Sequence, residues 1–354
     1  MIGTEPWYAT REDVKAALDF KATARSDARI DRALAGASRS VDGLCHRRFY
    51  PVTDTRRWDW PNGQYARSWR LWLDDSELID LTALESGGVT IPTGDVVLEP
   101  NRTGPPYRSL SINLSSPSAF QAGDTEQQAI GATGLWGYRN TEAPASSAAG
   151  GVDAAAVRLP ISDAGAAGVG SVLRAGAERL LVTGRSMADT GQTLQAAVTQ
   201  SAADTVLTLG DTGALHEDEV LLVGGERMLV VDIAGASAVV RRAWDGSVLA
   251  AHAEGDPVYA ARTLHVARGV LGTTAGPVAD GAALVRWVPP ELVNTYTIAL
   301  AVTTLTQEPA GYARTGKSSS SRGSSTPPAL TSSIDDLRDQ CYAKHGRKAR
   351  TRAV

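Results

Sequence analysis

Two segments near the N-terminus carry apolar residues at the three-to-four-residue spacing of an α-helix. In the first, residues 10–20, Thr10 stands at the cap and Asp13 occupies the capping-box position. The second is expected over residues 26–48, because Pro51 disfavours helical geometry in the residue before it. Its apolar stripe consists of Ile30, Leu34, Ala37, Val41 and Leu44. The chain is therefore predicted to open with a pair of helices.

From residue 56 onward the apolar spacing changes to the alternation that is typical of β-strands. Residues 56–61 alternate up to a Pro-Asn-Gly turn, and residues 68–73 alternate again. Further short strands are predicted over residues 78–84, 96–98, 110–114 and 128–138. Residues 1–142 are thus expected to form a helical hairpin joined to a small sheet.

The next part of the chain, residues 152–286, is predicted to be an inserted all-β domain. Residues 143–151 are rich in Ala, Ser and Gly and are interpreted as the linker that leads into it. The insert repeats itself weakly, since the segment that begins at Arg242 is matched 26 residues later by the segment that begins at Arg268. Duplicated β-hairpins in a small barrel or sandwich are the expected arrangement. The short β-runs are residues 179–183, 206–209, 219–223, 227–231 and 238–242.

A third helix is predicted after Pro289-Pro290, since proline is tolerated in the first turn of a helix. The apolar side chains of residues 292–305, among them Tyr296 and Leu300, surround this helix almost completely. Such a helix is expected to be buried between others, so residues 287–315 should dock on the first two helices. The insert then interrupts the core rather than following it.

The end of the chain, residues 316–354, is predicted to be a flexible linker followed by an arm. Residues 316–328 are rich in Ser, Gly and Pro, and a short amphipathic helix is expected over residues 334–345. The whole chain has a formal charge of −4, yet no acidic residue follows Cys341. A basic tail on an acidic body is typical of a segment that binds an acidic protein or nucleic-acid phosphates. The residues assigned to this arm are Leu337, Cys341, Tyr342, Lys344, Arg347, Lys348 and Arg350.

Composition indicates a soluble protein of several domains. Its 354 residues, 43% of them apolar, exceed what one compact core usually holds. No apolar run reaches the ~20 residues of a membrane helix, and no secretory signal is recognisable, so we expect no membrane partner and synthesis in the cytoplasm. The predicted fold class is α+β: a helical bundle with a small β-sheet, an inserted all-β domain and an extended C-terminal arm.

Motifs of enzyme or cofactor chemistry are few, and each has a simpler interpretation. The Gly-Lys-Ser of residues 316–318 lacks the upstream glycine and the strand of a phosphate-binding loop. Metal binding by Cys45-His46 with Cys341 and His345 is an alternative to packing, but structural zinc sites use closer spacings such as C-x2-C. No nucleophile–base motif is recognisable. We therefore expect no enzymatic activity, no cofactor and no metal.

Aromatic and histidine residues leave two further alternatives open. Five of the eight tryptophans lie in the first 72 residues and could stack sugars or bases. Strand alternation places Trp69 with Leu71 and Leu73, however, which favours a role in the core or in a subunit contact. The histidines of the insert are expected in turns or at the surface. They are His216, His252 and His265.

Residues 37–49, residues 134–138, and residues 288–290 with the apolar helix after them together resemble the head-to-tail adaptor proteins of tailed phages, also called head-completion or connector proteins. Residues 37–49 (Ala-Ser-Arg-Ser-Val-Asp-Gly-Leu-Cys-His-Arg-Arg-Phe) are similar to the family pattern A-s-x-x-I-D-x-x-C-x-R-x-F, with Val41 where Ile is usual. Residues 134–138 (Gly-Leu-Trp-Gly-Tyr) resemble the end of the family's β-part, and residues 288–290 with the apolar helix after them resemble its third helix. Residues 226–285 resemble a module that is frequent in phage virion proteins.

This resemblance implies a structural virion protein, located in the neck at the portal vertex after assembly in the host cytoplasm. It implies a homo-oligomeric ring, usually a 12-mer, through whose channel genomic DNA passes without sequence-specific contacts. The implied partners are the portal protein, which the C-terminal arm binds, a downstream neck, stopper or tail-terminator protein, and capsid protein near the insert. Core or subunit packing is assigned to Ile30, Leu34, Val41, Leu44, Trp136, Tyr296 and Leu300. The alternative is another virion or tail-tip protein that uses the β-domain for host attachment.

Overall fold

The computed structural model of the chain describes residues 5–18, 27–61, 67–213, 215–308 and 329–347. Across these ranges the protein is mixed α+β and mostly β, with four α-helices and several antiparallel sheets. Residue contacts divide it into two units. The first unit comprises residues 1–45, 142–270 and 274–346, and the second comprises residues 46–141, 271–273 and 347–354, as far as each is described.

The four helices all belong to the first unit. The predicted capping box of the first helix is confirmed, because the Thr10 hydroxyl accepts a hydrogen bond from the Asp13 amide at 3.0 Å and the Asp13 carboxylate accepts one from the Thr10 amide at 2.8 Å. No described helix is long and apolar enough to cross a membrane. The helices are α1 (Arg11–Ala17), α2 (Asp27–Cys45), α3 (Glu291–Gln307) and α4 (Ala329–His345).

A large antiparallel sheet makes up the rest of the first unit. Its strands follow the order β12-β15-β14-β13-β16-β11-β10-β17-β8, and β9 pairs with β16. Their bounds are β8 Glu142–Ser147, β9 Arg158–Pro160, β10 Val172–Ala175, β11 Glu178–Thr193, β12 Val206–Thr208, β13 Val220–Val223, β14 Glu226–Ala234, β15 Ser237–Arg241, β16 Pro257–Ala267 and β17 Ala283–Trp287.

The helices share one hydrophobic core with this large sheet. Leu34 of α2 and Leu305 of α3 lie in the same buried cluster as Leu173 of β10 and Leu180 of β11. The sequence-based division, with the helices grouped with residues 46–141 and residues 152–286 set apart, therefore differs from the grouping in the structure. The reason is that the apolar faces of the helices are buried against strands of the insert.

The prediction of a linker over residues 143–151 is wrong for residues 143–147, which belong to a strand. Residues 142–147 form strand β8, which pairs antiparallel with β17 at the edge of the large sheet. Ala145 and Ala148 are buried, although their small side chains give no amphipathic pattern in the sequence. Hydrogen bonding to a neighbouring strand, which local composition does not reveal, decides the conformation here.

The second unit contains two smaller antiparallel sheets, with the orders β1-β7-β3-β4 and β2-β6-β5. The predicted alternation at residues 68–73 is confirmed, since Leu71 and Leu73 are buried and Arg70 and Trp72 are half-buried. The largest buried side chain of the unit's core is Trp136. The strands are β1 Val52–Trp58, β2 Arg70–Trp72, β3 Leu78–Ser86, β4 Val89–Ile91, β5 Val96–Glu99, β6 Ser109–Ile112 and β7 Ile130–Trp136.

The repeat in the insert has a structural counterpart, in which one β-module lies inside another. The inner module (residues 194–256) connects β11 to β16, and residues 178–182 of β11 and 266–267 of β16 belong to the outer module (residues 148–182 and 266–282). In the outer module Leu181 pairs with Ala267, and in the inner module Leu229 pairs with Arg241 at the equivalent positions. A β-bulge follows one residue later in both strand pairs. The two modules are therefore copies of one unit in the same register.

Candidate functional site

Helix α4, the predicted docking element, packs against α2 and α3 of its own chain. Cys341 and His345 are one helical turn apart, and both side chains are buried. The Cys341 Sγ lies 3.9 Å from the Sγ of Cys45, the last residue of α2. Residues at i and i+4 share one face of a helix, so these two side chains anchor α4 by its apolar stripe.

The prediction of an extended C-terminal arm is therefore corrected for residues 334–345, which form part of a helix packed on the body. The prediction also placed Tyr342 beside Cys341, but neighbouring residues lie about 100° apart around a helix, and Tyr342 is 46% exposed. Leu337 is half-buried and Lys344 is exposed. One face of α4 is thus occupied in the single chain, while Tyr342 and Lys344 lie on accessible faces.

The basic tail after α4 is described only as far as Arg347, because Lys348 and Arg350 lie outside the described residues, as does the predicted linker at 316–328. The Arg347 guanidinium belongs to the second unit, where it lies 3.3 Å from the Asp75 carboxylate and contacts the backbone carbonyl of Asp74. The first described basic residue of the tail thus binds acidic and carbonyl oxygens of its own chain.

Glu77, close to the Arg347 contact in the second unit, is a buried carboxylate. Burial raises its pKa, and the nearby guanidinium groups of Arg47, Arg347 and Arg108 act in the opposite direction. The Arg47 guanidinium lies 3.5 Å from the Glu77 carboxylate, and both side chains are at least nine-tenths buried. The combination is a partly compensated charge pair in the interior of the second unit.

Most of the residues assigned to core or subunit packing lie inside a core. Ile30, Leu34 and Val41 of α2 are buried, as are Tyr296 of α3 and Trp136 of β7. Burial raises the pKa of the Tyr296 hydroxyl. Leu44 and Leu300 are only half-buried, which leaves part of each side chain available to a neighbouring molecule.

Helix α3 is apolar nearly all round, yet only one side of it is fully covered. Its buried side is formed by Val293, Tyr296, Thr297, Ala301 and Leu305. The half-buried apolar side chains elsewhere on the helix are Leu292, Ile298, Ala299, Leu300 and Val302. The expected docking of α3 on the first two helices is confirmed, and Ile298, Leu300 and Val302 pack in part against the same core while they keep some exposure to solvent.

The inner module contains a buried carboxylate–guanidinium clamp. The Glu226 carboxylate accepts hydrogen bonds from Arg242 at 2.7 and 2.8 Å and from the amides of Ala243 and Ala250 at 2.8 and 3.0 Å. His252 Nε2 lies 2.9 Å from the same carboxylate. Burial alone raises the pKa of Glu226, but these hydrogen bonds outweigh it and lower the pKa to about 2.

The outer module repeats this clamp with Glu178 and Arg268. The Glu178 carboxylate accepts hydrogen bonds from Nε and Nη2 of Arg268, each at 2.8 Å, and from the amides of Gly269 and Gly276. Burial raises the pKa of Glu178, and these bonds lower it to a net value below that of a free glutamate. Val278 occupies the place of the inner module's histidine. Each clamp ties a strand to the loop that begins with its arginine.

Sequence reasoning identified the repeat but not the pairing of its charged residues. The signal was present, because Glu178 and Glu226 begin matched strands and Arg242 and Arg268 begin matched loops. The expectation of a surface position is wrong for His252, which is buried against its glutamate. The other two histidines are less deeply placed: His216 is partly exposed, and the ring of His265 lies 3.2 Å from the Ser186 hydroxyl.

A pocket between α1 and the inner module is lined mainly by charged side chains. Lys15 lies 2.8 Å from both Asp27 and Asp245, and Arg227 also binds Asp245 at 2.7 Å. The other charged lining residues are likewise ion-paired: Arg11 with Asp27 and Asp31, and Arg185 with Glu12. These ion pairs hold α1 against the sheet.

Among the described residues, no group of three or more His, Cys, Asp or Glu side chains is arranged to hold a metal ion. The predicted tryptophan cluster belongs largely to the core of the second unit, where Trp58 and Trp136 lie with ring centres 5.4 Å apart. Trp69 is partly buried, with the guanidinium groups of Arg67 and Arg70 over its ring. These tryptophans pack rather than line a sugar-binding or base-binding cleft.

Comparison with known proteins adds no relative. No protein-family model, no curated protein and no solved structure matches the chain. The resemblance to connector proteins stays a prediction, which depends on residues 37–49, 134–138 and 288–305 together with the order of the elements.

Proposed function

We propose that the chain is a structural protein of a phage virion that forms a ring, dodecameric as is usual for connectors, between the portal and the neck. The observation that carries the proposal is helix α3. It packs on α2 from the other end of the sequence, and it keeps half-buried apolar side chains on its remaining sides. An apolar surface of this kind on a core helix is suited to contact with further copies of the chain.

In the proposed ring, the helices form a bundle whose outer residues meet those of the neighbouring copy. Leu44 of α2 and Leu300 of α3 are half-buried and suited to this contact. Interfaces between identical subunits that repeat around a closed ring are heterologous, so one face of the bundle must fit a different face of the next copy. The acidic body would let genomic DNA slide through the channel, because fewer neutralised phosphates mean weaker binding.

The C-terminal segment is proposed to bind the portal. In the single chain the stripe of Cys341 and His345 is covered by the chain's own helices, so portal binding uses the exposed faces with Tyr342 and Lys344 or follows release of α4. The two nested β-modules are proposed to form a small barrel-like decoration that faces capsid or neck proteins. The buried clamps suit this role, since they fix the module loops in one conformation.

The proposal is tested by assembly in vitro with phage heads that lack this chain. Adding the purified full-length protein to such heads and tails should restore joined particles, counted by electron microscopy and by plaque titre. A chain with Leu300→Arg, which places a charge on the half-buried side of α3, should restore far fewer. Heads that join tails equally well without the protein would overturn the proposal. Binding of the full chain to host cells or glycans in place of heads would favour the attachment alternative.

A further inference from the structure

The fold brings the two cysteines of the chain into contact. Cys45 and Cys341 are the only cysteines among the 354 residues, and they are 296 positions apart in sequence. Their Sγ atoms lie 3.9 Å apart, and both side chains are fully excluded from solvent. Both are thiols in this structure.

The two sulfurs are in contact without being bonded. A disulfide requires an Sγ–Sγ distance of about 2.05 Å, so the sulfurs must approach by roughly 2 Å. Rotation of one side chain together with a small shift of α4 supplies such a movement. Helix α4 takes part in no strand ladder, and its main contacts among the described elements are with α2 and α3.

We propose that Cys45 and Cys341 form an oxidisable pair, a modification site at which a disulfide fixes the C-terminal helix to α2. The proposal does not depend on the connector role, since it concerns the chain alone. The oxidant is a small-molecule disulfide, of which oxidised glutathione is the probe.

The exchange has two balanced steps. Cys341 attacks one sulfur of the small disulfide as a thiolate, which breaks the S–S bond and releases one small thiolate. Cys45 then attacks Cys341 Sγ in the mixed disulfide, forms the Cys45–Cys341 bond and releases the second small thiolate. Two protein thiols are oxidised, the small disulfide is reduced to two thiols, and the two protons of the cysteines pass to the released thiolates.

The two thiols share a hydrogen bond in the closed structure, and the two steps balance equally with the roles of the cysteines exchanged. This bond lowers the pKa of Cys341, while burial acts in the opposite direction. Because both sulfurs are buried, the reagent reaches them only when α4 moves away from α2. The mixed disulfide therefore forms only when α4 has moved away from α2, and the Cys45–Cys341 bond forms when α4 packs on α2 again.

A disulfide here has a mechanical consequence for the C-terminal segment. In the thiol form, α4 is held by its apolar stripe and can leave α2. In the disulfide form Cys341 cannot separate from Cys45, so the contact persists even when the chain between α3 and α4 is cut.

The test incubates the full-length native chain with oxidised glutathione at mildly alkaline pH, quenches it by alkylation and measures intact mass and non-reducing peptide maps. The expected product has lost two hydrogen atoms and contains one cross-linked peptide with Cys45 and Cys341. We expect it to exceed the glutathione mixed disulfide at least about tenfold, because the second thiol is already in contact. In the urea-unfolded chain, where the thiols are separated, the mixed disulfide should dominate.

The matched controls are Cys45→Ser and Cys341→Ser, each of which should end as a single mixed disulfide or remain unmodified. If either variant fails to fold, the peptide map of the native wild-type chain still decides the question. Mixed disulfides on both cysteines of the native chain would overturn the proposal. So would cross-links between two chains, or a native chain that keeps both thiols while the unfolded chain reacts.

Discussion

The Glu226 carboxylate and the Arg242 guanidinium form two parallel hydrogen bonds, at 2.7 and 2.8 Å. Both side chains are almost wholly excluded from solvent. The same pairing recurs between Glu178 and Arg268 of the outer module. Two buried, bidentate pairs at equivalent places show that the clamp is the structural signature of the module. Paired and fully hydrogen-bonded buried charges of this kind fix one loop conformation.

Removing one charge of the inner clamp should destabilise the fold strongly. Glu226→Gln leaves the Arg242 guanidinium buried without its counter-charge, and we expect a loss of about 3 kcal/mol in the free energy of unfolding. Urea titration followed by tryptophan fluorescence measures it. The matched control is Glu254→Gln, an exposed residue of the same loop, which should change stability by less than about 0.5 kcal/mol. Equal effects of the two substitutions would show that the clamp contributes nothing specific.

The clamp should also make the free energy of unfolding depend on pH. The pKa of Glu226 is lowered from 4.5 to about 2, so its contribution is complete above pH about 4.5 and is lost as the pH falls through about 2. From this shift, the advantage of the wild type over Glu226→Gln should be smaller by about 2 kcal/mol at pH 3 than at pH 7. Urea titrations at both pH values measure the difference. An advantage that stays constant over this range would contradict the assigned pKa.

Gly272, which follows Arg268 in the chain and belongs to the second unit, occupies a position that requires glycine. Gly272 has φ = +77°, and a Cβ there would collide with the backbone carbonyl oxygen of Thr53, whose amide donates to the Leu271 carbonyl at 2.9 Å. Gly272→Ala should therefore cost about 2 kcal/mol or more in thermal or urea unfolding. Gly276→Ala is the control, because nothing lies within 4 Å of a Cβ at that position. A neutral Gly272→Ala would disprove the close approach.

Substituting one leucine in the core and one at the proposed subunit contact distinguishes the effect of the helices on stability from their effect on assembly. Leu34 is fully buried and Leu300 is half-buried, so Leu34→Ala should cost 2–5 kcal/mol of unfolding free energy, as a buried leucine typically does, and Leu300→Ala about 1 kcal/mol or less. The proposed subunit contact predicts the opposite ranking for ring formation, measured by light scattering at equal folded concentration. A Leu300→Ala chain that assembles like the wild type would remove this side of α3 from the interface.

Deleting residues 317–354 should leave the rest of the fold intact and uncover one thiol. Cys45 is buried and in contact with Cys341 of α4, so the truncated chain should react with a thiol reagent many times faster than the full chain under native conditions. The same truncation is predicted to abolish binding to the portal. Circular dichroism checks that the remaining fold persists. Unchanged portal binding after the deletion would exclude the C-terminal segment from docking.

The parts of the fold that local spacing determines were predictable from the sequence. Helix α2 follows from the recurrence of Ile30, Leu34 and Val41, and the α1 cap follows from Thr10 and Asp13. Strand β8 was missed because its one buried residue, Ala145, has a small side chain that gives no apolar alternation. The eleven-residue strand β16 was missed for a related reason: its alanines give little β-propensity, and its pairing with β11 joins distant parts of the chain.

The packing of α4 and the two clamps could not be predicted, because each depends on contacts between residues far apart in sequence. The amphipathic stripe of α4 was recognisable, but a stripe does not specify whether the chain itself or another protein covers it. For the clamps, the matched positions of Glu178 and Glu226 were visible, while their partners lie 90 and 16 residues away. The inner module is inserted between Glu178 and Arg268, and this insertion concealed the equivalence of the two Glu–Arg pairs.

The most direct test of the proposed ring is the native mass of the full-length chain alone and with the portal protein of the same phage. The proposal predicts a complex in which many copies of the chain, twelve in the usual connector arrangement, join one portal ring at a fixed ratio. A chain that remains monomeric and leaves the mass of the portal unchanged would contradict it.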